Sequence, residues 1–107
     1  MSNQAPATVT AALDAANSGD TERFLDCFAE HGSVNDWGRV FTGREAIRGW
    51  SDREFIGVHV SLEVLDVTTS GETTTIAAQV GGSGFNGPSH FAFTVRGDRV
   101  AAMQITA

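Results

Sequence analysis

Lysine and tyrosine are absent from the 107 residues, and all seven cations are arginines. Without a lysine amine there is no Schiff-base or pyridoxal-phosphate chemistry, and no phosphate-cradling loop ending in Lys-Ser/Thr. Nor can a tyrosine serve as acid or oxyanion donor. A net charge of −6 with scattered arginines argues against nucleic acid, where affinity comes mostly from neutralising phosphates. The same sign argues against anionic membrane surfaces. Neither partner is expected. The single cysteine, Cys27, excludes an intrachain disulfide and suits a reducing compartment. No apolar run approaches the ~20 residues that span a bilayer, and Met1-Ser2-Asn3-Gln4 lacks the regions of a signal peptide. A cytoplasmic protein is expected.

What is present fits a folded globular chain: 41% hydrophobic and 19% charged residues. At this length one domain, 1–107, is expected. The first half reads as helices. Pro6 suits a first helical turn, and Val9, Ala12, Leu13 and Ala16 recur at i, i+3, i+4 and i+7. Asn17-Ser18-Gly19 breaks this helix, and Asp20 is a good N-cap for a second. That helix carries Phe24, Leu25 and Phe28 and is expected to end at His31-Gly32. A short extended piece over 33–37 and a turn at Gly38 follow. Thr42-Gly43-Arg44-Glu45 has the form of a capping box for a third helix bearing Ala46, Ile47 and Trp50. A second box, Ser51-Asp52-Arg53-Glu54, predicts a restart for one turn before Gly57.

The second half reads as strands. Val58, Val60, Leu62 and Val64 alternate with His59, Ser61 and Glu63. The phase slips at Leu65-Asp66-Val67, which predicts a bulge. Beyond a turn at Ser70-Gly71, Thr74, Ile76, Ala78 and Val80 make a second strand that stops at Gly81-Gly82-Ser83-Gly84. Phe91, Phe93 and Val95 make a third, and Arg96-Gly97-Asp98 turns into a fourth with Ala101, Met103 and Ile105. Helices first and an antiparallel meander afterwards is the α+β pattern. Arg96-Gly97-Asp98 is read as a hairpin turn rather than an adhesion tripeptide. The glycine-rich run has neither the lysine nor the helix of a phosphate loop.

In order and spacing these segments resemble the nuclear-transport-factor-two-like superfamily, in its SnoaL-like and ketosteroid-isomerase-like branch. The matching residues are Ala16-Asn17-Ser18-Gly19-Asp20, Phe28-Ala29, Val34-Asn35-Asp36, Gly43-Arg44-Glu45-Ala46-Ile47-Arg48 and the hairpin over 91–103. They span a core of about 7–105. The resemblance implies a cone: a curved antiparallel sheet of about four main strands plus a short first strand, wrapped on three N-terminal helices. It also implies a pocket at the open end and a homodimer through the convex sheet face. In such a cone Phe91, Phe93, Val95, Met103 and Ile105 point inward, while His90 and Gln104 point outward. His59 belongs to the polar face of its strand.

Asp36 matches the place of the family's aspartate that moves a proton at a carbon next to a carbonyl. Trp37 beside it would partly desolvate the carboxylate, an environment that suits a general base. The alternative is a plain turn, Asp36-Trp37-Gly38-Arg39, whose aspartate bonds its own backbone. Ketosteroid isomerase builds its oxyanion hole from a tyrosine and a protonated aspartic acid, and these positions fall at Ala12 and Ser89. Ala12 donates nothing and Ser89 is the weaker donor, so steroid isomerisation is not expected. His31, His59 and His90 share no ligand spacing; no metal and no cofactor is expected. Arg39, Arg44, Arg48 and Arg53 alternate with Glu45, Asp52 and Glu54 as an ion-paired face. Arg39, the least locally paired, is the candidate for a carboxylate-bearing ligand. Trp37 and Phe85 sit in glycine-flanked loops and are candidates to line a pocket. Trp50, Phe55, Phe91 and Met103 complete its apolar wall, with Ser89. Two functions stay open. One is an enzyme acting on an apolar carbonyl compound by proton transfer, cyclisation or isomerisation. The other is a non-catalytic ligand-binding or dimerisation module.

Overall fold

The computed structural model describes residues 4–107; Met1, Ser2 and Asn3, part of the stretch read for a leader, lie outside the described residues. Helix α1 (Ala7–Ser18) buries Val9, Ala12, Leu13, Ala15 and Ala16 and stops at Gly19, whose φ of 72° is the left-handed cap that glycine adopts without cost. Asp20 caps α2 (Thr21–Asp26) by accepting from the Arg23 amide at 3.1 Å. The Asn17 side chain ties this corner to the sheet. Its Nδ2 donates to the Leu62 carbonyl at 3.1 Å, and its Oδ1 accepts from the Leu62 amide at 2.6 Å.

The second helix ends at Asp26, well before His31-Gly32. Phe28 already belongs to strand β1 (Phe28–Asp36), because the Val100 amide donates to the Cys27 carbonyl at 2.7 Å and starts the ladder there. Gly32 is not a helix cap. A side chain at this position would sit 2.9 Å from the Val100 carbonyl oxygen, so the strand crosses its neighbour only where Cβ is missing. A two-residue turn leads into β2 (Arg39–Thr42), an edge strand that the short run of residues did not announce. The capping box fails as well. Thr42 ends β2, and α3 (Arg44–Glu54) has Gly43 as N-cap with no side-chain bond. Nor does α3 restart at Ser51: it runs through, and Ser51 Oγ accepts from the Ile56 amide at 3.4 Å beyond its end. A 3-10 turn (Ile56–Val58) and His59, in the left-handed region at φ 58°, then precede β3 (Ser61–Ser70). His59 is therefore exposed on a turn rather than on a strand face.

The remaining strands are β4 (Thr73–Gly81), β5 (Gly87–Arg96) and β6 (Arg99–Thr106). The sheet has six strands in the order β2-β1-β6-β5-β4-β3, antiparallel except for the parallel β1–β6 pair. The first strand is long, not short, and β2 adds to it. The register shifts between Val64 and Asp66, at the expected bulge, and this bends the β3 edge. Helices cover one face. On that face the cross-strand rows stack by depth: Val34–Met103–Phe93–Thr74 lies inside, and Asp36–Ile105–Phe91–Ile76 lies one row nearer the open end. His90 and Gln104 are exposed on the other face. No described helix is long and apolar enough to cross a membrane.

Candidate functional site

At the open end of the cone the sheet and α3 enclose a cavity of about 340 Å³. Phe91 and Ile105, from the outer cross-strand row, floor it together with Val80 and Val60. One wall comes from α3 and the turn behind it: Trp50 stacks on Phe55 with ring centres 4.8 Å apart, and Phe55 reaches Phe91 at 6.3 Å. Trp37 and Phe85 sit at the mouth, 61% and 57% exposed.

Asp36 ends β1 and belongs to the outer row, so its side chain is turned to the helical face and lines the cavity with 16% of its side-chain surface open. The plain-turn alternative is met by its neighbour instead. Asn35 Oδ1 accepts from the Gly38 amide at 2.7 Å, which releases Asp36 from bonding its own backbone. Both donors that reach Asp36 land on one oxygen. Oδ2 accepts from Trp50 Nε1 at 3.0 Å and from Arg39 Nη2 at 2.7 Å, and no described donor reaches Oδ1. Across the floor, Ser89 is 3% exposed and lines the same cavity. Its hydroxyl has no partner among the described residues, yet it is not sealed off as a buried unsatisfied atom. A carboxylate with one oxygen free of described donors and an unpartnered hydroxyl thus line one cavity.

The family follows from sequence as well as shape. A family model described as a SnoaL-like domain matches residues 9–103. The chain belongs to the SnoaL-like domain family. Among solved structures, this SnoaL-like domain is similar to a candidate polyketide cyclase from Sinorhizobium meliloti, with TM-score 0.84, 26% identity and 95% of each chain covered. It is also similar to a hypothetical protein of ketosteroid-isomerase-like fold from Catenulispora acidiphila solved with trimethylamine, with TM-score 0.81, 26% identity, and 97% of this chain and 87% of that one covered. The epoxide hydrolase/cyclase-like enzyme SalBIII of pyran-ring formation in salinomycin shares the fold, with TM-score 0.81 at 17% identity, and 92% of this chain and 85% of that one covered. No curated protein matches the sequence. These likenesses make the SnoaL-like domain a small-molecule pocket protein of this type.

Of the residues singled out in the sequence, Asp36, Trp37, Arg39, Trp50, Arg53, Phe55, Phe85, Ser89 and Phe91 line the cavity, and Arg53, expected on an ion-paired face, has no ion-pair partner among the described residues. Met103 does not. It pairs with Phe93 and Val34 one row deeper, about 7 Å further down the strands, and is 1% exposed in the core. Ala12, at the tyrosine position, is likewise core. Arg44 points away and donates to the Phe28 carbonyl, while Arg48 pairs with Glu22 and Glu45. The three histidines are all exposed and outside the cavity lining.

Arg39 is the most heavily paired arginine of the site, not the least. Its Nη1 and Nη2 fork Glu54 at 2.8 and 2.7 Å, while Nη2 also holds Asp36. Glu54 is thus a site residue that sequence reasoning treated as helix surface. The pairing spans 15 positions, so no local spacing could reveal it. The fork holds the Glu54 carboxyl below its usual range, against the opposing cost of burial. Because the folded value lies below the unfolded one, the pair stabilises the fold above the ordinary carboxylate range, at about pH 4.3. That contribution fades as pH falls through the lower folded value. Arg39→Gln should therefore flatten the acid limb of the stability curve, seen in urea midpoints between about pH 7 and pH 3. An acid limb identical to the wild type's would show that the fork contributes nothing.

Proposed function

We propose that this domain is an enzyme that moves a proton on an apolar carbonyl compound, with Asp36 as general base. The observation that carries the reading is the division of labour on the Asp36 carboxylate. Oδ2 is anchored by Trp50 and Arg39, while Oδ1 has no described donor and the residue lines the cavity. In this scheme Oδ1 accepts the proton from a carbon next to the carbonyl. The C–H electron pair becomes the new carbon–carbon π bond as the carbonyl π pair moves to the oxygen. The resulting enolate can attack a second carbonyl of the same substrate to close a ring or be reprotonated at another carbon. Ser89 Oγ, or a water held by it, donates to the enolate oxygen. A neutral hydroxyl is a weaker donor than the tyrosine and protonated acid of ketosteroid isomerase. Substrates with a more acidic C–H, such as a carbon between two carbonyls, are accordingly better suited than a simple ketone. The likeness to a candidate polyketide cyclase supports the same substrate class.

The test is a thermal-shift screen of neutral mono- and dicarbonyl compounds on the wild type and on Asp36→Asn, followed by turnover assays on every hit. Asparagine keeps the size of the side chain and can still occupy the Trp50 and Arg39 corner. A compound that stabilises both proteins and is converted only by the wild type supports the reading. Conversion that survives Asp36→Asn ends the role of Asp36 as base.

A further inference from the structure

Trp37 occupies a backbone position that disfavours it. The β1–β2 connection is a two-residue loop, Trp37-Gly38, between the paired residues Asp36 and Arg39. Both loop residues have positive φ, 55° for Trp37 and 95° for Gly38. That is the turn for which Asn-Gly is the preferred pair, and a bulky side chain in its first position is a genuine outlier.

Nothing in the fold compensates. The indole makes no ring contact, and its N–H has no hydrogen-bond partner, among the described residues; only the backbone amide is engaged, donating to the Ile105 carbonyl at 3.3 Å. At 61% exposed, the ring is poorly packed. Other exposed apolar side chains, such as Val40 and Leu65, lie on edge strands at ordinary backbone angles. Trp37 alone among the exposed large apolar residues combines exposure, a strained backbone and a place on the cavity. Strain without a packing return marks a functional position.

A second ring faces the same opening. Phe85 comes from the loop between β4 and β5, where Asn86 Nδ2 donates to the Gly82 and Gly84 carbonyls and the Ser83 amide donates to Val58. This loop is braced, and a Cβ at Gly87 would fall 3.1 Å from the Phe85 ring, so glycine lets the ring lie flat against the chain. Two exposed aromatic rings in loops flank a mouth above the wall ring Phe55 and the floor ring Phe91. Asp36, Arg39 and Glu54 satisfy one another there, while Arg53, on the same lining, makes no ion pair with a described residue.

We infer that Trp37 is a ligand-stacking residue, and that the compound it selects is a flat, unsaturated ring system carrying a hydrogen-bond acceptor. This inference rests on the ligand-binding reading of the cavity. Ring faces stack on the indole, and the unpartnered indole N–H is the donor for the acceptor group.

The probe is 6-propionyl-2-(dimethylamino)naphthalene, a flat neutral aryl ketone whose emission reports its environment. Trp37→Asn installs the preferred turn pair. The unliganded variant should melt higher by roughly 4 °C while binding the probe about five- to tenfold more weakly. Trp37→Phe keeps a stacking ring but loses the indole donor, so its affinity should fall between those of the wild type and the Asn variant, without the gain in melting temperature. An Asn variant that melts lower makes Trp37 a packing residue and overturns the inference, as does an unchanged affinity. If the wild type does not take up the probe, the ring-compound inference falls. The role of Asp36 then still stands or falls on its own turnover screen.

Discussion

Replacing Trp50 with alanine is expected to cost about 3–5 kcal/mol of unfolding free energy, the range for a buried aromatic truncated in a core. The indole is 1% exposed, stacked on Phe55 and within 6.2 Å of the Phe41 ring. Through Phe55 it joins Phe24 and Phe28, so its removal opens a hole against a continuous row of rings. A domain of this size has a total stability of roughly 5–15 kcal/mol, so the variant should sit near the edge of folding. Trp50→Phe separates packing from hydrogen bonding. It keeps a ring on Phe55 but deletes the N–H that holds Asp36 Oδ2 at 3.0 Å. We expect a smaller loss for it, about 1–3 kcal/mol. The Asp36 carboxylate would be left to Arg39 alone, and its orientation towards the cavity would loosen. Urea denaturation of both variants reads the difference. A loss under about 1 kcal/mol for Trp50→Ala would contradict its place in the core.

The same residues show how far the sequence could be read. Period-two patterning carried the strands well, because Thr74, Ile76, Ala78 and Val80 bury one face of β4 as alternation demands. The slip at Leu65 was legible too, since a bulge shifts which side chains face the core. The β1 start was hidden. Phe28 continues the apolar spacing of α2, and only the pairing with Val100 decides that it is strand. In the site, the identity of Asp36 was readable but its freedom was not, since that depends on Asn35 taking the turn amide. Met103 and Ile105 have the same alternation and differ only in depth, which register alone sets. Arg39 looked unpaired because its two carboxylates come from the end of β1 and from the far end of α3. Local patterns therefore give elements, and cross-strand register gives the site.

Gly57→Ala is expected to be the most disruptive single-methyl change in the chain. A Cβ there would lie 1.7 Å from the Asp52 carbonyl oxygen and 2.5 Å from its carbon, and these are backbone atoms that no rotamer can move. The last turn of α3 and the 3-10 turn must separate, against the bonds from the Phe55 amide to Ser51 at 3.0 Å and from the Val58 amide to Phe55 at 3.2 Å. We expect a loss at or beyond the top of the ~1–3 kcal/mol range for overpacked positions. Gly49→Ala, in the interior of the same helix, is the matched control. Its Cβ would meet only the tip of the Arg53 side chain at 3.1 Å. Alanine there should stabilise the helix by about 0.5–1 kcal/mol. Opposite signs from one chemical change test the joint itself, whereas a neutral Gly57→Ala would mean that α3 does not end against this turn. The consequence reaches the site, because Glu54 and Phe55 stand directly before the joint. Moving them pulls Glu54 from Arg39 and tilts Phe55 away from Trp50. Gly57→Ala should therefore weaken ligand uptake as well as stability, although Gly57 itself does not line the cavity.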